Sequence, residues 1–297
     1  MPKFNKAKKD KVTALLPVSY KQLFCFTYRT NLILLFKLSL VMSIFCLPFM
    51  ASVLFKNIFE ASISSNTALS NEEISVAILN FRSVYGFIIS TCFLLVGIGL
   101  SGSFYVMKQY LTNEGMVFKR DFFKGIKKNW KGYLLLTALF AYSLAAANFV
   151  INLATVSSYY GVLLILFVII SFCFLSVYLI SLNIYQTYTV SFFKLIKNSF
   201  LVFISQLPIA CLSLICSILP LVVAYFFNIT LMNFIAWLIY ICLGFGHSVL
   251  TIVIFNLYML DESVNKRQFK EIYRKGLFDS SNDVVVDEGF KNDAQDL

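Results

Sequence analysis

Charge is scarce in this chain, and most of what there is lies in a few short segments. Of 297 residues only 13% are Asp, Glu, Lys or Arg, about half the share of a water-soluble domain. Long stretches contain none, which removes the solvated helix faces that a soluble fold needs. Histidine occurs once, at His247, so no multi-histidine metal centre can be assembled. The cysteines Cys25, Cys46, Cys92, Cys173, Cys211, Cys216 and Cys242 have no ligand spacing. Their number is odd and none lies in the long polar linker, which argues against an external disulfide framework. No nucleophile-and-base pair, phosphate-cradling loop or carboxylate within an apolar run is present, so neither an enzyme nor a proton-coupled pump is expected, and no cofactor or metal. The basic arm at the start lacks a following A-x-A-like cleavage site and reads as retained rather than as a signal peptide.

What fills the space is apolar: the chain is 59% hydrophobic, with a mean hydropathy of +0.78. A hydrocarbon layer of roughly 30 Å takes about 17 to 25 apolar residues per helical crossing. Six runs qualify: Leu38–Phe55 with Pro48, Ser83–Met107, Tyr133–Val156, Val162–Leu182, Phe200–Phe227 with Pro208 and Pro220, and Phe234–Leu260. The expectation is an all-α polytopic membrane protein. Short linkers, Ser157–Tyr160 and Asn228–Met232, join spans three with four and five with six as antiparallel hairpins. Of the 25 Lys and Arg, only Lys56 and Arg82 flank the long linker, Lys37 lies at the start of the first apolar run, and the others lie on the opposite side. Since Lys/Arg excess marks the cytoplasmic face, both termini are expected inside, and the linker from Lys56 to Arg82 outside. The net charge of +10 then faces anionic lipid headgroups rather than nucleic acid, for which no recognition fold has room. Lys37 reads as a side chain snorkelling to the headgroups.

The stretch FKRDFFKGIKKNWKG, residues 118 to 132, separates two apolar runs. At 100° per residue Phe118, Phe122, Phe123, Ile126, Trp130 and Tyr133 share one side, and Arg120, Lys124, Lys127 and Lys131 the other, which predicts a helix lying on the membrane surface. Asp121 in its first turn suits the helix dipole. FFKLIKNSF at 192–200 repeats FFKGIKKNW at 122–130 with an offset of 70, pairing Phe122 with Phe192, Phe123 with Phe193, Lys124 with Lys194, Ile126 with Ile196, Lys127 with Lys197 and Trp130 with Phe200. Fainter copies are FKEIYRK at 269–275 and YKQL at 20–23. Three tandem hairpins follow, each introduced by an amphipathic cytoplasmic surface helix and the last followed by an extra one. The candidate lipid- or partner-binding surface is Phe122, Phe123, Lys124, Ile126, Lys127, Trp130, Lys131, Phe192, Phe193, Lys194 and Lys197.

In the outer linker Ser70 and Glu73 form a capping-box pattern that predicts a separate helix docked on the outer surface. Glu60, Glu72 and Glu73 read as solvated loop charge. Gly97, Gly99 and Gly102 spell GxGxxG inside a span, where no dinucleotide can sit; Gly97 and Ser101 instead offer a small face for close helix approach. Pro208 and Pro220 mark either simple kinks or an unwound, ion-coordinating span of the transporter kind. His247 reads as a hydrogen-bonded packing residue. The tail from Asp279 to Leu297, acidic and polar, is expected to be disordered.

The segment YVMKQYLTNEGMVFKRDFFKGIKKNWKGYLLL, Tyr105 to Leu136, resembles the core of the YesL-like bacterial membrane proteins, a family named only as a domain of unknown function. The shared pattern is a span ending in an aromatic and basic turn, then a Phe- and Lys-rich stretch closed by an Asn-aromatic pair, here Asn129–Trp130. The resemblance covers about residues 31 to 200 and implies a multi-span protein of the bacterial cell membrane, often encoded beside carbohydrate ABC importers, with no site residues to carry over. The longer outer linker and the six spans depart from the family's shorter members. Three functions are open: a non-catalytic accessory or scaffold protein contacting anionic lipid or a transporter partner, a small-solute transporter or channel in its own right, and a membrane enzyme, for which there is no positive sign in the sequence. The expected topology is testable by thiol labelling: Cys25 should react only once the cytoplasmic side is opened, and a Ser65→Cys variant should react from outside in intact cells, the reverse pattern refuting the orientation.

Overall fold

The computed structural model describes residues 17–66, 70–154, 159–225, 235 and 237–278. The lysine-rich arm, most of the linkers after spans three and five, and the acidic tail lie outside them. Among the described residues regular structure is helical throughout: α1 (Tyr20–Thr30), α2 (Leu32–Ser64), α3 (Asn71–Leu111), α4 (Phe118–Leu153), α5 (Tyr160–Thr187), α6 (Phe192–Ser205), α7 (Leu207–Tyr225) and α8 (Trp237–Gln268). Five of these, α2 to α5 and α8, are each long and apolar enough to cross a membrane, and α6 with α7 forms a sixth candidate bent by 94°.

A contact between residues 17–18 and 274–278 decides between five and six crossings. Phe278 donates its backbone N–H to the Pro17 carbonyl at 2.8 Å, and Arg274 Nη2 donates to the Val18 carbonyl at 2.8 Å. The segments before the first span and after the last therefore sit at the same end, and the number of crossings is even. The sixth is α7, whose 19 residues extend about 28 Å.

Three predicted helices have different limits, for one reason. The Ser70–Glu73 capping box forms, with Ser70 N donating to Glu73 Oε2 at 2.8 Å, but the helix it starts runs on unbroken for 41 residues to Leu111. The outer helix and span two are one rod. Likewise the basic segment 118–132 is not a separate helix in the membrane plane: it forms the first turns of α4, collinear with the span after it. Neither α3 nor α4 contains proline, so nothing stops propagation once a helix has started. Pro208 does stop it. Lacking the N–H that would bond the Ile204 carbonyl, it ends α6, and Ile209 and Ala210 both turn their N–H groups to the Gln206 carbonyl, at 3.0 and 2.9 Å. Expected span five is thus a helix pair, and the second basic copy lies across the span that follows it. The third expected copy is not helical: residues 270–276 are turns, with Arg274 at φ +54° and Gly276 at φ +95°.

Packing crosses the hairpins. The most extensive interface joins α3 to α4, ahead of α2 with α3, so the sequence hairpins are not the packing units. Gly97 provides the predicted close approach: a Cβ there would lie 2.2 Å from Thr137 Oγ1 on α4. On the other side α8 packs against α2. A π-helical turn at Tyr240–Gly244 precedes Gly246, where a Cβ would lie 2.2 Å from the Leu35 carbonyl oxygen, and Gly246 N donates to Ser39 Oγ at 2.6 Å.

The lone histidine completes α7. Pro220 cannot donate to the Cys216 carbonyl four residues earlier, and that oxygen accepts instead from His247 Nε2 at 3.0 Å. With Nε2 as the donor, Nδ1 accepts from the Tyr28 hydroxyl. One imidazole so ties α1, α7 and α8 together and satisfies a carbonyl that lipid could not. His247→Ala should cost about 1 to 3 kcal/mol for the orphaned acceptor, and the loss should shrink in a Pro220→Ala background, where the helix supplies its own donor. A thermal-unfolding double-mutant cycle in detergent measures this; additive losses would show that the carbonyl and the imidazole are independent.

Candidate functional site at the basic end of the bundle

The two basic copies present the same pattern of exposure. From 123 to 130 and from 193 to 200, residue by residue, the order is exposed, exposed, buried, half-buried, exposed, exposed, buried, exposed. Phe123, Lys124, Lys127 and Trp130 thus match Phe193, Lys194, Lys197 and Phe200 on an outer face, with Phe193 85% exposed. Lys131 joins this face, its Nζ 5.7 Å from the Trp130 ring centroid. Ile126 and Phe192 are half-buried at its margin.

Phe122 departs from the expected stripe. It is 3% exposed and turns into the bundle, where it lies against Gly102 and stacks on Phe118 at 6.0 Å. The buried line of α4 is Asp121, Phe122, Gly125, Asn129 and Tyr133, which takes only Phe122 and Tyr133 from the six expected apolar positions, while Phe123 and Trp130 face outward among the cations instead of on a side of their own. Gly125 is there because a Cβ would lie 2.5 Å from Tyr105 Cβ. Asp121 closes the helix start, accepting from Val117 N at 2.7 Å and Arg120 Nε at 3.1 Å, and the Val117 bond foremost holds its carboxyl below the usual range. Lys37 points outward, as a snorkelling side chain does. At the far end Glu60 is not a solvated loop charge: it takes both Nε and Nη2 of Arg82, at 3.0 and 2.8 Å, with Lys56 at 3.6 Å.

Beside the outer face lies a site the sequence did not reveal. Asp261, 3% exposed, follows the last apolar run directly and begins a second π-helical turn, Asp261–Asn265. Its carboxylate accepts from the Tyr20 hydroxyl, from Asn265 Nδ2 at 2.6 Å and from Arg274 N at 2.7 Å. The Tyr188 hydroxyl at the end of α5 donates to Asn265 Oδ1. Burial, then the bond to Asp261, pushes the Tyr20 phenol well above its ordinary value. Lys275 reaches Glu114 in the α3–α4 turn at 2.8 Å. This clasp caps a cavity of about 770 Å³ whose lining includes Tyr20, Phe24, Ile209, Phe255, Asp261 and Arg274. The cavity continues to Cys216 and Thr251, and the ten residues from Asp261 to Thr251 rise about 15 Å along α8. Charged and phenolic groups, Asp261, Arg274 and Tyr20, line one end and mostly apolar side chains the rest, so it can hold an amphipathic molecule.

Comparison with family models, with curated proteins and with solved structures gives no match, so the resemblance to the YesL-like proteins rests on Tyr105–Leu136 alone. Among the described residues no three His, Cys, Asp or Glu side chains gather into a metal-sized group.

Asp261→Ala removes the acceptor of three donors at once. It should lower thermal stability by more than the 1 to 3 kcal/mol of one unsatisfied buried group and raise trypsin cleavage after Arg274 and Lys275. Unchanged cleavage would show that the 270–278 segment is held without the carboxylate.

Proposed function

We propose that this is a non-catalytic accessory or scaffold protein of the bacterial cell membrane, with both termini cytoplasmic, whose basic end contacts anionic headgroups and a membrane transporter partner. The observation that carries the reading is the duplicated outer face, Phe123–Lys124–Lys127–Trp130 with Phe193–Lys194–Lys197–Phe200: aromatic rings exposed beside cations, repeated with one exposure pattern on two differently oriented helices. Exposed rings anchor at the interface between headgroups and hydrocarbon, while each cation near an anionic leaflet contributes about 1 kcal/mol. Since burying aromatic rings also anchors protein interfaces, the same face suits a partner. A carbohydrate ABC importer is the partner that the YesL-like resemblance suggests.

The cavity under the Asp261 clasp supports a second reading, a small-solute transporter in its own right, because it reaches from the basic end about 15 Å along α8. Against it stands the packing, where buried hydrophobic residues of α2, α3, α4, α5, α7 and α8 form one continuous cluster. Reconstitution separates the two. Alone in vesicles the protein should move no sugar or ion. A photo-crosslinker at Phe193 should give a discrete adduct with an importer subunit, weakened when Lys124, Lys127, Lys194 and Lys197 are changed to Glu. Uptake by the protein alone, abolished by His247→Ala, would replace the accessory reading with transport.

A further inference from the structure

Both α1 and α7 pack on α8, but they share no extensive interface with each other. α1 rests on α8 through two ring contacts, Tyr20 edge-on to Tyr258 at 5.8 Å and Phe24 edge-on to His247 at 6.1 Å. Two side chains of α8 then hold α1 in place, one near each of its ends. His247 joins the Tyr28 hydroxyl to the Cys216 carbonyl of α7, and Asp261 takes the Tyr20 hydroxyl together with the backbone N–H of Arg274. The cavity of about 770 Å³ is the slot that these ties leave between α1, α7 and α8.

Its middle is apolar. Phe24 forms one wall, Ile209 and Cys216 of α7 the facing one, and Phe255 and Tyr258 of α8 the back. Among the described residues, none of the buried side-chain N or O atoms that lack a partner belongs to this lining. The hydroxyls of a sugar or the water shell of an ion would find little to bond to there, whereas an apolar cavity readily takes an apolar guest. The end near Asp261 is charged, and its acids are already engaged. Asp261 accepts from three donors, and Glu262 lies 3.7 Å from Lys266. The cations beside them, exposed Lys21 and the Arg274 guanidinium, which gives Nη2 to the Val18 carbonyl, have no carboxylate in an ion pair among the described residues. The charge left over at that end is positive.

We propose that the slot between α1, α7 and α8 is a binding site for a long-chain amphiphile with an anionic head, the chain lying along Ile209 and Cys216 and the head against Lys21 and Arg274. The chain belongs either to a free fatty acid or to an anionic phospholipid of the bilayer, and both present the same chemistry. Occupied, the slot gives α1 an apolar neighbour on the side where α7 does not reach it. This site is separate from the duplicated aromatic and basic face, so it does not depend on the accessory reading.

The test uses the full chain in phosphatidylcholine nanodiscs with a palmitic acid that carries a diazirine, the adducts being located by mass spectrometry. Adducts on Phe24, Ile209 and Phe255 should saturate and be competed by unlabelled palmitate, while those on Ile165 and Ile169, exposed on α5, should rise without saturating. If the fatty acid does not label the slot but a photoactivatable phosphatidylglycerol does so saturably, the chain is that of a bilayer lipid. Saturable labelling by neither overturns the proposal. Ile209→Trp fills the slot from a half-buried position and should remove the slot adducts while leaving those on α5; slot adducts at full yield in this variant would equally overturn the site. Lys21→Gln, at an exposed position, should weaken binding of the effective acidic amphiphile about fivefold, the contribution of one interfacial cation, and leave competition by uncharged hexadecanol unchanged. An equal effect on both, or on neither, would overturn the assignment of the head.

Discussion

Inside hydrocarbon every main-chain carbonyl must find its donor within the protein, because no water is there to replace it. The architecture around α7 follows from that constraint. Pro208 and Pro220 each take an N–H out of the helical ladder. At Pro208 the helix turns by 94°; at Pro220 it continues, because His247 brings a donor to Cys216 from α8. The Ser248 hydroxyl, 2.8 Å from the next carbonyl, Ser217 O, adds a second contact from α8 to α7 one residue on. An imidazole that looked isolated in the sequence is thus the support for a proline-containing span, and through Tyr28 it also fixes α1.

The apolar runs were legible because their signal, twenty or so residues without charge, depends on composition alone. So were the Ser70 capping box and the small face at Gly97, both set by neighbours in sequence. The limits of the helices were less legible. Hydropathy detects where a span enters hydrocarbon, not where its backbone ladder ends, and α3 and α4 run well past that depth in segments such as Asn71–Arg82 and Phe118–Gly132 that are polar enough to look separate. The repeat at 122 and 192 was visible as a pattern, but the orientation of its two copies turned on a residue outside it, Pro208. Asp261 was missed because it sits one residue beyond an apolar run, where a carboxylate ordinarily meets solvent; its partner Tyr20 is 241 residues away, and Arg274 reaches it through a turn that no periodicity marks. Asn129 was read as part of an Asn-aromatic pair, although its burial depends on Gly125 letting α3 come close.

Charge at the two ends of the bundle is organised differently. The far end joins Lys56, Glu60 and Arg82 in one cluster that ties α2 to α3, and its other acids, Glu72 and Glu73, lie in the first turn of α3. The basic end spreads its cations over an outer face and joins its acids, Asp121, Glu114 and Asp261, to helix starts, turns and the chain's own return. Acids there hold structure, while most of the cations are left facing outward.

The bond between Tyr20 and Asp261 spans 241 residues. At a synthesis rate of about 5 to 20 residues per second, Tyr20 leaves the ribosome roughly 12 to 48 s before its partner exists. During that interval α1 has neither Asp261 nor His247 to hold it, and Tyr20, Phe24 and Tyr28 are left to the membrane surface. Closure of the clasp therefore waits until the chain has been made past Arg274. A stalled or truncated product lacks the partners of Tyr20 and Tyr28, so its first helix has neither bond to hold it.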